Sequence, residues 1–511
     1  MILLIHKKGK KLLHVLKEGQ ELELAASGLV DAFWKVAQRF PEEVVGWCGE
    51  EFHDQVSADE WNSIFYHQRI MASYAVRNIY ISEDIGYIDQ LPFININRAV
   101  RFPSWRMSTD VGGIYGKALL CFKELFNGIE DFGYLLNSIA KLGQQNSLFC
   151  YSEPALTTIK SVNSPVCTTS DKELYKFISQ HYNSIWIYVL LFCHLWYEKR
   201  FPLLAFLKAL NKPKFFRQNI ALEKISISAG ENSASKEIDV IIPTIGRKEH
   251  LFNVLKDLEE QVLLPKKVIV VEQNPEEHAT SELNFLEGRE WPFQIIHHFT
   301  HQTGACNARN IALKEVKSDW IFFADDDIRL EPELLKKSLK ELQRLNISCL
   351  NINCRQEGEE TVFSKIKQWG SFGSGTSIVK TCFAEKCRFP LLYEQAYGED
   401  SDFGMQLRNL GCDIIYHPDL AILHLKAKVG GLRTKVKKEW EAQEPLPKPS
   451  PTVMAFALKY NTPEQIKGFK TSLLLKFYRN QEIKNPFTYI RSMNLRWKKS
   501  KEWAHQILQE K

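Results

Sequence analysis

Apolar and polar positions alternate in blocks through the second half of the chain. Residues 238–242 are a short apolar run closed by Pro243, which reads as a buried strand. Leu251, Val254, Leu255 and Leu258 follow at i, i+3, i+4 and i+7, the spacing of one helix face. Residues 268–271 are a second strand-like run, ending at Glu272. Thr303 and Gly304 are placed to cap a helix whose inner face is Ala308, Ile311, Ala312 and Val316. Residues 321–324 are a third apolar run, which leads directly into Asp325, Asp326 and Asp327. Pro332 suits the first turn of the next helix, where its missing N–H has no partner to lose. Strand–helix–strand–helix–strand with short connections predicts an α/β domain, a parallel sheet covered by helices. Ligands of such sheets bind beyond the carboxyl ends of the strands. Pro243, Thr244, Glu272 and the three aspartates all occupy such ends.

The first half has a different texture. Residues 170–217 look helical and aromatic-rich, and the small polar stretch 226–235 (SISAGENSAS) reads as a linker. The apolar run 185–197 is shorter than the ~20 residues a spanning helix needs, so a buried helix is expected there. The opening MILLIHKKGKK has too short an apolar run for a secretory signal. Near the other end, Thr462 and Gln465 make a capping box with Pro463 between them. Ile466, Phe469, Leu473 and Phe477 then form an apolar stripe beside Lys467, Lys470, Lys476 and Arg479. That pattern has two readings: a helix packed on the body with solvated lysines, or a contact with an anionic membrane surface.

Composition adds bounds. The chain has 511 residues, 44% hydrophobic and 25% charged, which is globular and enough for two to four domains. A net charge of +5 is too small to imply a nucleic-acid binder. The charge is uneven, however. Residues 431–511 hold 17 Lys/Arg against 7 Asp/Glu, while residues 1–430 carry 49 against 54. The 11 cysteines include no CxxC pair, which fits reduced thiols in a cytosol. Cys349, Cys354, Cys382 and Cys387 fall in two C-x4-C pairs, an unusual spacing for zinc, so buried thiols are expected.

Two acidic clusters carry the chemistry. Three consecutive carboxylates after an apolar strand repel one another and need a cation or solvent. They sit where a ligand belongs, and hard oxygen donors suit Mg²⁺ or Mn²⁺. The second cluster is Gly398-Glu399-Asp400-Ser401-Asp402, followed by the helical stripe Phe403, Leu407 and Leu410. One acid is enough to cap a helix; three in four residues suggest a site, with one of them as a base on a hydroxyl.

Taken in order, IDVIIPTIGR, VIVVEQN, GACNARNIAL, WIFFADDD and GEDSDFGMQLRNLG resemble the family 2 glycosyltransferases of the GT-A fold, over residues 237–431. The resemblance implies a Rossmann-like, mostly parallel sheet flanked by helices. It implies an inverting transfer from a nucleotide-sugar donor to a hydroxyl of a glycan or lipid-linked acceptor in polysaccharide biosynthesis, aided by Mn²⁺ or Mg²⁺. Pro243, Thr244, Arg247, Glu272, Arg309, Asp325 and Asp326 would bind the nucleotide sugar. Asp327 would ligate the metal with Asp325. Asp400 would be the general base, with Glu399 bonded to the acceptor. A downstream histidine holds the metal in some relatives; His424 matches that place, and His417 is the alternative. His297, His298 and His301 read as loop residues.

The N-terminal part echoes this domain. STDVGGIYGKALLCF, IEDFGYLLNSIAKLG and YSEPALT recur in the order of GSGTSIVKTCF, GEDSDFGMQLRNLG and YHPDLAI. Gly49, Glu50 and Glu51 fall against the three aspartates, and Asp131 against Asp402. The copy has no room for most of the nucleotide-binding half. The expected organisation is a degenerate GT-A-like domain at 1–165, a helical connector at 166–225, a linker at 226–236, the catalytic domain at 237–432 and a basic helical tail at 433–511. The expected location is cytoplasmic, with peripheral attachment at the inner face of the membrane through that tail as the alternative to a tail packed on the body. Two rival functions remain open: a sugar nucleotidyltransferase, and a non-catalytic glycan-binding protein built on two transferase-like copies. A processive membrane synthase is not expected, since the chain has no Q-x-x-R-W and no spanning helix.

Overall fold

The computed structural model describes residues 1–56, 58–159, 165–227, 237–426 and 437–509. Most of the linker expected at 226–236 lies outside the described residues. The chain divides into two compact units, Met1–Ala229 with Asn461–Gln481, and Gly230–Tyr460 with Glu482–Lys511. The segment expected as a connector is therefore part of the first unit, and the basic tail is shared between the two.

The first unit holds an eight-stranded sheet. Its main strands are β1 (Ile2–Lys7), β2 (Lys11–Lys17), β3 (Val44–Gly49), β4 (Ile70–Tyr74), β5 (Val111–Tyr115) and β6 (Phe149–Ser152). They lie in the order β2-β1-β3-β5-β4-β6. Helices α1 (Leu29–Arg39), α2 (Phe132–Gln144) and α3 (Asp171–His181) contribute buried side chains to its core, as do α4 (Ile185–Cys193) and α5 (Leu203–Ala209). Phe132 of α2 meets Trp47 of β3 edge-on.

The second unit holds a nine-stranded sheet. Strands β7 (Ile238–Thr244), β8 (Lys267–Gln273), β9 (Gln294–Thr300), β10 (Trp320–Ala324), β11 (Cys349–Arg355), β12 (Thr376–Lys380) and β13 (Ile415–His424) run in the order β9-β8-β7-β10-β12-β11-β13. The alternating blocks of the sequence become these elements. Helix α6 (Lys248–Glu259) buries Leu251, Val254, Leu255 and Leu258, and α7 (Ala305–Leu313) buries Ala308 and Ala312. Helix α8 (Leu334–Leu345) starts two residues after Pro332, and α9 (Glu399–Asn409) carries the second acidic cluster.

The sheet is mixed rather than mostly parallel. Strands β9, β8, β7 and β10 are parallel, but β12 runs antiparallel to both β10 and β11. The chain turns back beside the end of the acidic strand at Gly375, where a side chain would displace the Asp325 carboxylate. A Cβ at Gly375 would lie 2.1 Å from Asp325 Oδ2. His297 and His298, expected in a loop, lie in β9.

Five strands follow the same path in the two units. The order β1-β3-β5-β4-β6 matches β7-β10-β12-β11-β13 in sequence and in the sense of every pair: parallel, antiparallel, antiparallel, parallel. Beyond this path they differ. Strand β1 is flanked by the antiparallel hairpin strand β2, where β7 is flanked by the parallel β8 and β9.

Three helices end the chain. Helix α10 (Pro451–Tyr460) packs with α12 (Pro486–Gln509) in the second unit. Between them α11 (Pro463–Tyr478), with both halves of its capping box formed, packs in the first unit on Gln465, Gly468 and Thr471. The stripe of Ile466, Phe469, Leu473 and Phe477 is half-buried, so α11 is a packed helix rather than one with a free apolar face.

Candidate active site

The carboxyl ends of β7 and β10 build one wall of a cleft. Thr244 Oγ1 donates to Asp326 at 2.7 Å, and Arg247 Nη1 donates to the same carboxylate at 2.6 Å. Arg247 also reaches Asp327 at 3.3 Å. Asp326 is thus committed to holding Thr244 and Arg247. Burial pushes its carboxyl up to about 6 even though Arg247 and Thr244 oppose the shift. Asp325 points the other way and accepts from Arg309 Nη2 at 2.9 Å. Arg309 is buried on α7, and its Nε has no partner among the described residues. Burial alone would lower its pKa, but Asp325, Asp400 and Glu399 together raise it, so it stays a cation.

The opposite wall is the start of α9. Asp400 accepts from the Ser374 backbone N–H at 3.3 Å. Burial raises its pKa, and Arg309 works against that rise. Burial and the neighbouring Asp400 push Glu399 up to about 7. The third acid has a different part. Asp402 is fully buried and accepts from Tyr393 and Tyr460 at 3.0 Å, from Lys459 at 2.9 Å and from Gln406 at 2.7 Å. With that many donors it anchors the helix and does not face a ligand.

The two walls enclose a cavity of about 490 Å³ lined by residues of both acidic clusters, Thr244, Arg247, Arg309 and His424 among them. His424, on β13, contacts Asp327 at 3.3 Å, and that contact raises its pKa. Donor atoms of Asp325, Asp327 and His424 lie within 4.8 Å of one another. Two carboxylates and an imidazole are a donor set that Mn²⁺ or Mg²⁺ accepts. His417 lies apart, bonded to Glu341 at 3.1 Å.

Glu272 does not line the cavity. Its carboxylate accepts from Ser281, from the Glu282 N–H and from His297. The next residue, Gln273, does line it and accepts from the Gly304 N–H. Glu394, which no local sequence pattern marks, caps α7 with its carboxylate by accepting from the N–H groups of Cys306 (3.1 Å) and Asn307 (2.9 Å). Gly304, at φ 140°, leaves room for it; a Cβ there would sit 1.9 Å from the carboxyl carbon. The four cysteines of the C-x4-C pairs form no metal cluster among the described residues, but Cys354 and Cys382 are exposed, not buried.

Residues 239–388 match the model of Glycosyl transferase family 2. This segment is a family 2 glycosyltransferase domain. The matched residues include the aspartate triplet and Arg309 and stop short of Glu399 and Asp400. An uncharacterized glycosyltransferase of Haemophilus influenzae is 29% identical over 107 residues, 21% of this chain and 35% of that protein. The uncharacterized glycosyltransferase YfnE of Bacillus subtilis is 33% identical over 104 residues, 20% of this chain and 26% of that protein. The chain thus spans about a third or less of these curated relatives. Among solved structures, S. aureus TarS 1–349 in complex with UDP-GlcNAc is similar at 17% identity and TM-score 0.38, over 53% of this chain and 83% of that one.

Proposed function

We propose that the second unit is an inverting glycosyltransferase, moving a sugar from a nucleotide-sugar donor to a hydroxyl of a glycan or lipid-linked acceptor in polysaccharide biosynthesis. The observation that carries the reading is the meeting of two acidic clusters and one buried arginine in a single cleft. Thr244, Arg247 and Arg309 bind the nucleotide and its diphosphate. Asp325, Asp327 and His424 hold Mn²⁺ or Mg²⁺, which when bound stabilises negative charge on the departing diphosphate. Asp400, on the other wall, takes the proton of the acceptor hydroxyl, and Glu399 hydrogen-bonds that acceptor. The freed oxygen forms its bond to the anomeric carbon as the bond to diphosphate breaks on the opposite face, which inverts the centre. General-base help of this kind is worth ~10²–10⁴-fold.

The first unit, on this reading, is a second copy of the five-strand core without the parallel nucleotide-binding strands. Asp131 there caps α2 by accepting from the Tyr134 N–H. All 11 thiols are free, which supports a cytoplasmic setting. A panel of nucleotide sugars with Mn²⁺, read by thermal shift and then by turnover, tests the proposal. Release of nucleoside diphosphate and an inverted product anomer are expected. Release of pyrophosphate would replace the reading with a nucleotidyltransferase, and glycan binding without turnover of any donor would replace it with a lectin-like role.

A further inference from the structure

Helix α4 is apolar on every side: its sequence is IWIYVLLFC. Such a helix belongs in a core or in lipid. Here one side, Ile187, Val189, Leu190 and Cys193, is buried in the first unit, while Ile185, Tyr188 and Phe192 stand in solvent. The expectation of a buried helix at 185–197 is thus only half met. The exposed strip continues past the helix. Phe192 stacks on Trp196, and Phe201 and Leu204 follow. Among the described residues, nine of the 25 exposed large hydrophobic side chains lie between Ile185 and Leu207, with Trp196 at 56% and Leu204 at 73% exposure. No helix among the described residues is long and apolar enough to cross a membrane.

The charge around this strip is mostly positive, although Glu198 is exposed within it and Arg200 is paired with Asp84 and Asp171. Residues 185–217 contain six Lys/Arg and one acid, Glu198. Lys199, Lys208 and Lys212 are exposed, and Lys476 and Arg479 are exposed at the end of α11, which packs on α4. Exposed aromatic and aliphatic side chains beside exposed cations match the headgroup layer of an anionic bilayer, which takes apolar side chains at acyl depth and cations at the phosphates.

We propose that the α4–α5 hairpin is a membrane-docking face that seats the protein on an anionic lipid surface. This moves the apolar anchor from the C-terminal tail to α4 and α5, with the end of α11 adding cations only, and it stands whether or not the cleft transfers sugar. The test is flotation of the full chain with phosphatidylcholine vesicles, with and without phosphatidylglycerol. The wild type should float with the anionic vesicles, less with neutral ones, and less as salt rises. The double variant Trp196→Glu/Leu204→Glu should partition at least ~tenfold more weakly, since two apolar anchors are lost and two like charges face the lipid. Both side chains are largely exposed, so its melting temperature should match the wild type. Equal flotation of variant and wild type would overturn the proposal. So would a wild type that binds neither vesicle and instead self-associates in sedimentation through these residues, which would make the occupant a second copy of the chain.

Discussion

Arg309 donates to Asp325 at 2.9 Å from the floor of a cleft whose far wall carries Asp400. The guanidinium is buried and answers to both acidic clusters, since Asp325, Asp400 and Glu399 all sustain its charge. It also holds the Asp400 carboxyl below where burial alone would put it. Arg309→Lys keeps a cation but loses the planar fork. Donor affinity is expected to fall by about tenfold or more, the loss of one charge-assisted hydrogen bond. The acid limb of the rate profile should move to higher pH, because a weaker countercharge lets the Asp400 pKa rise. Isothermal titration with the nucleotide sugar and a pH–rate profile measure the two effects. An unmoved acid limb would show that Arg309 does not face the base.

The assignment of Asp400 is checked by Asp400→Asn, which should bind donor normally while transfer falls by ~10²–10⁴-fold. In the wild type, the Glu399–Asp400 pair takes up a proton as the pH drops through about 7, where Glu399 titrates. Turnover should therefore decline on the acid side of neutrality. A profile flat down to pH ~5 would remove the pair from the proton transfer.

Glu399 also makes a stability prediction. Its carboxyl is ordinarily near 4.5 and is pushed up to about 7 in the fold by burial and Asp400. The folded state thus disfavours the charged form. The cost is absent below pH 4.5 and reaches its full size above pH 7. Glu399→Gln removes the charge, so it should stabilise the protein at pH 8 by about 1–2 kcal/mol and change little near pH 4. Urea unfolding at the two pH values measures this; equal effects at both would mean that the carboxylate is relaxed by solvent.

Much of this site was legible in the sequence for a simple reason. Strand-end residues such as Thr244 and Asp325–Asp327 are placed by local pattern, because an apolar run that stops must stop at the sheet edge. Residues placed by tertiary contact were not legible. Glu394 caps α7 from 88 positions away, and Lys459 reaches Asp402 across 57. The strand predicted to end at Glu272 runs on to Gln273, and bonds to Ser281 and His297 take the Glu272 carboxylate away from the cleft. The run at 185–197 shows the same limit, since hydrophobicity gives a preference for apolar surroundings and says nothing of what covers each side. The return of β12 beside β10 is likewise set by long-range pairing, which no local period encodes.

Metal removal gives a further check. If Asp325, Asp327 and His424 form one site, chelation should abolish turnover and Mn²⁺ should restore it. His424→Ala should leave two carboxylates and raise the Mn²⁺ concentration needed for half-maximal rate by about 10–100-fold, while His417→Ala, at a residue bonded to Glu341, should not. Activity that persists in excess chelator would dissociate the cluster from the chemistry.

A further contact ties the C-terminal segment to α9, the helix that carries Glu399 and Asp400. Lys459 and Tyr460 end α10 and donate to Asp402, which is buried one turn into α9 and also holds Tyr393. Removing the lysine leaves a buried carboxylate with three neutral donors and no cation. Lys459→Met should destabilise the protein by about 1–3 kcal/mol, the cost of weakening a charged buried network. Because Glu399 and Asp400 lie in the same first turn, the loosened helix should also lower kcat more than it changes donor affinity. Lys459→Arg restores the charge and should recover much of both. A Lys459→Met enzyme that melts lower yet turns over at the wild-type rate would reduce the network to scaffolding; a fall in kcat rescued by arginine would make Lys459 a positioning residue for the base.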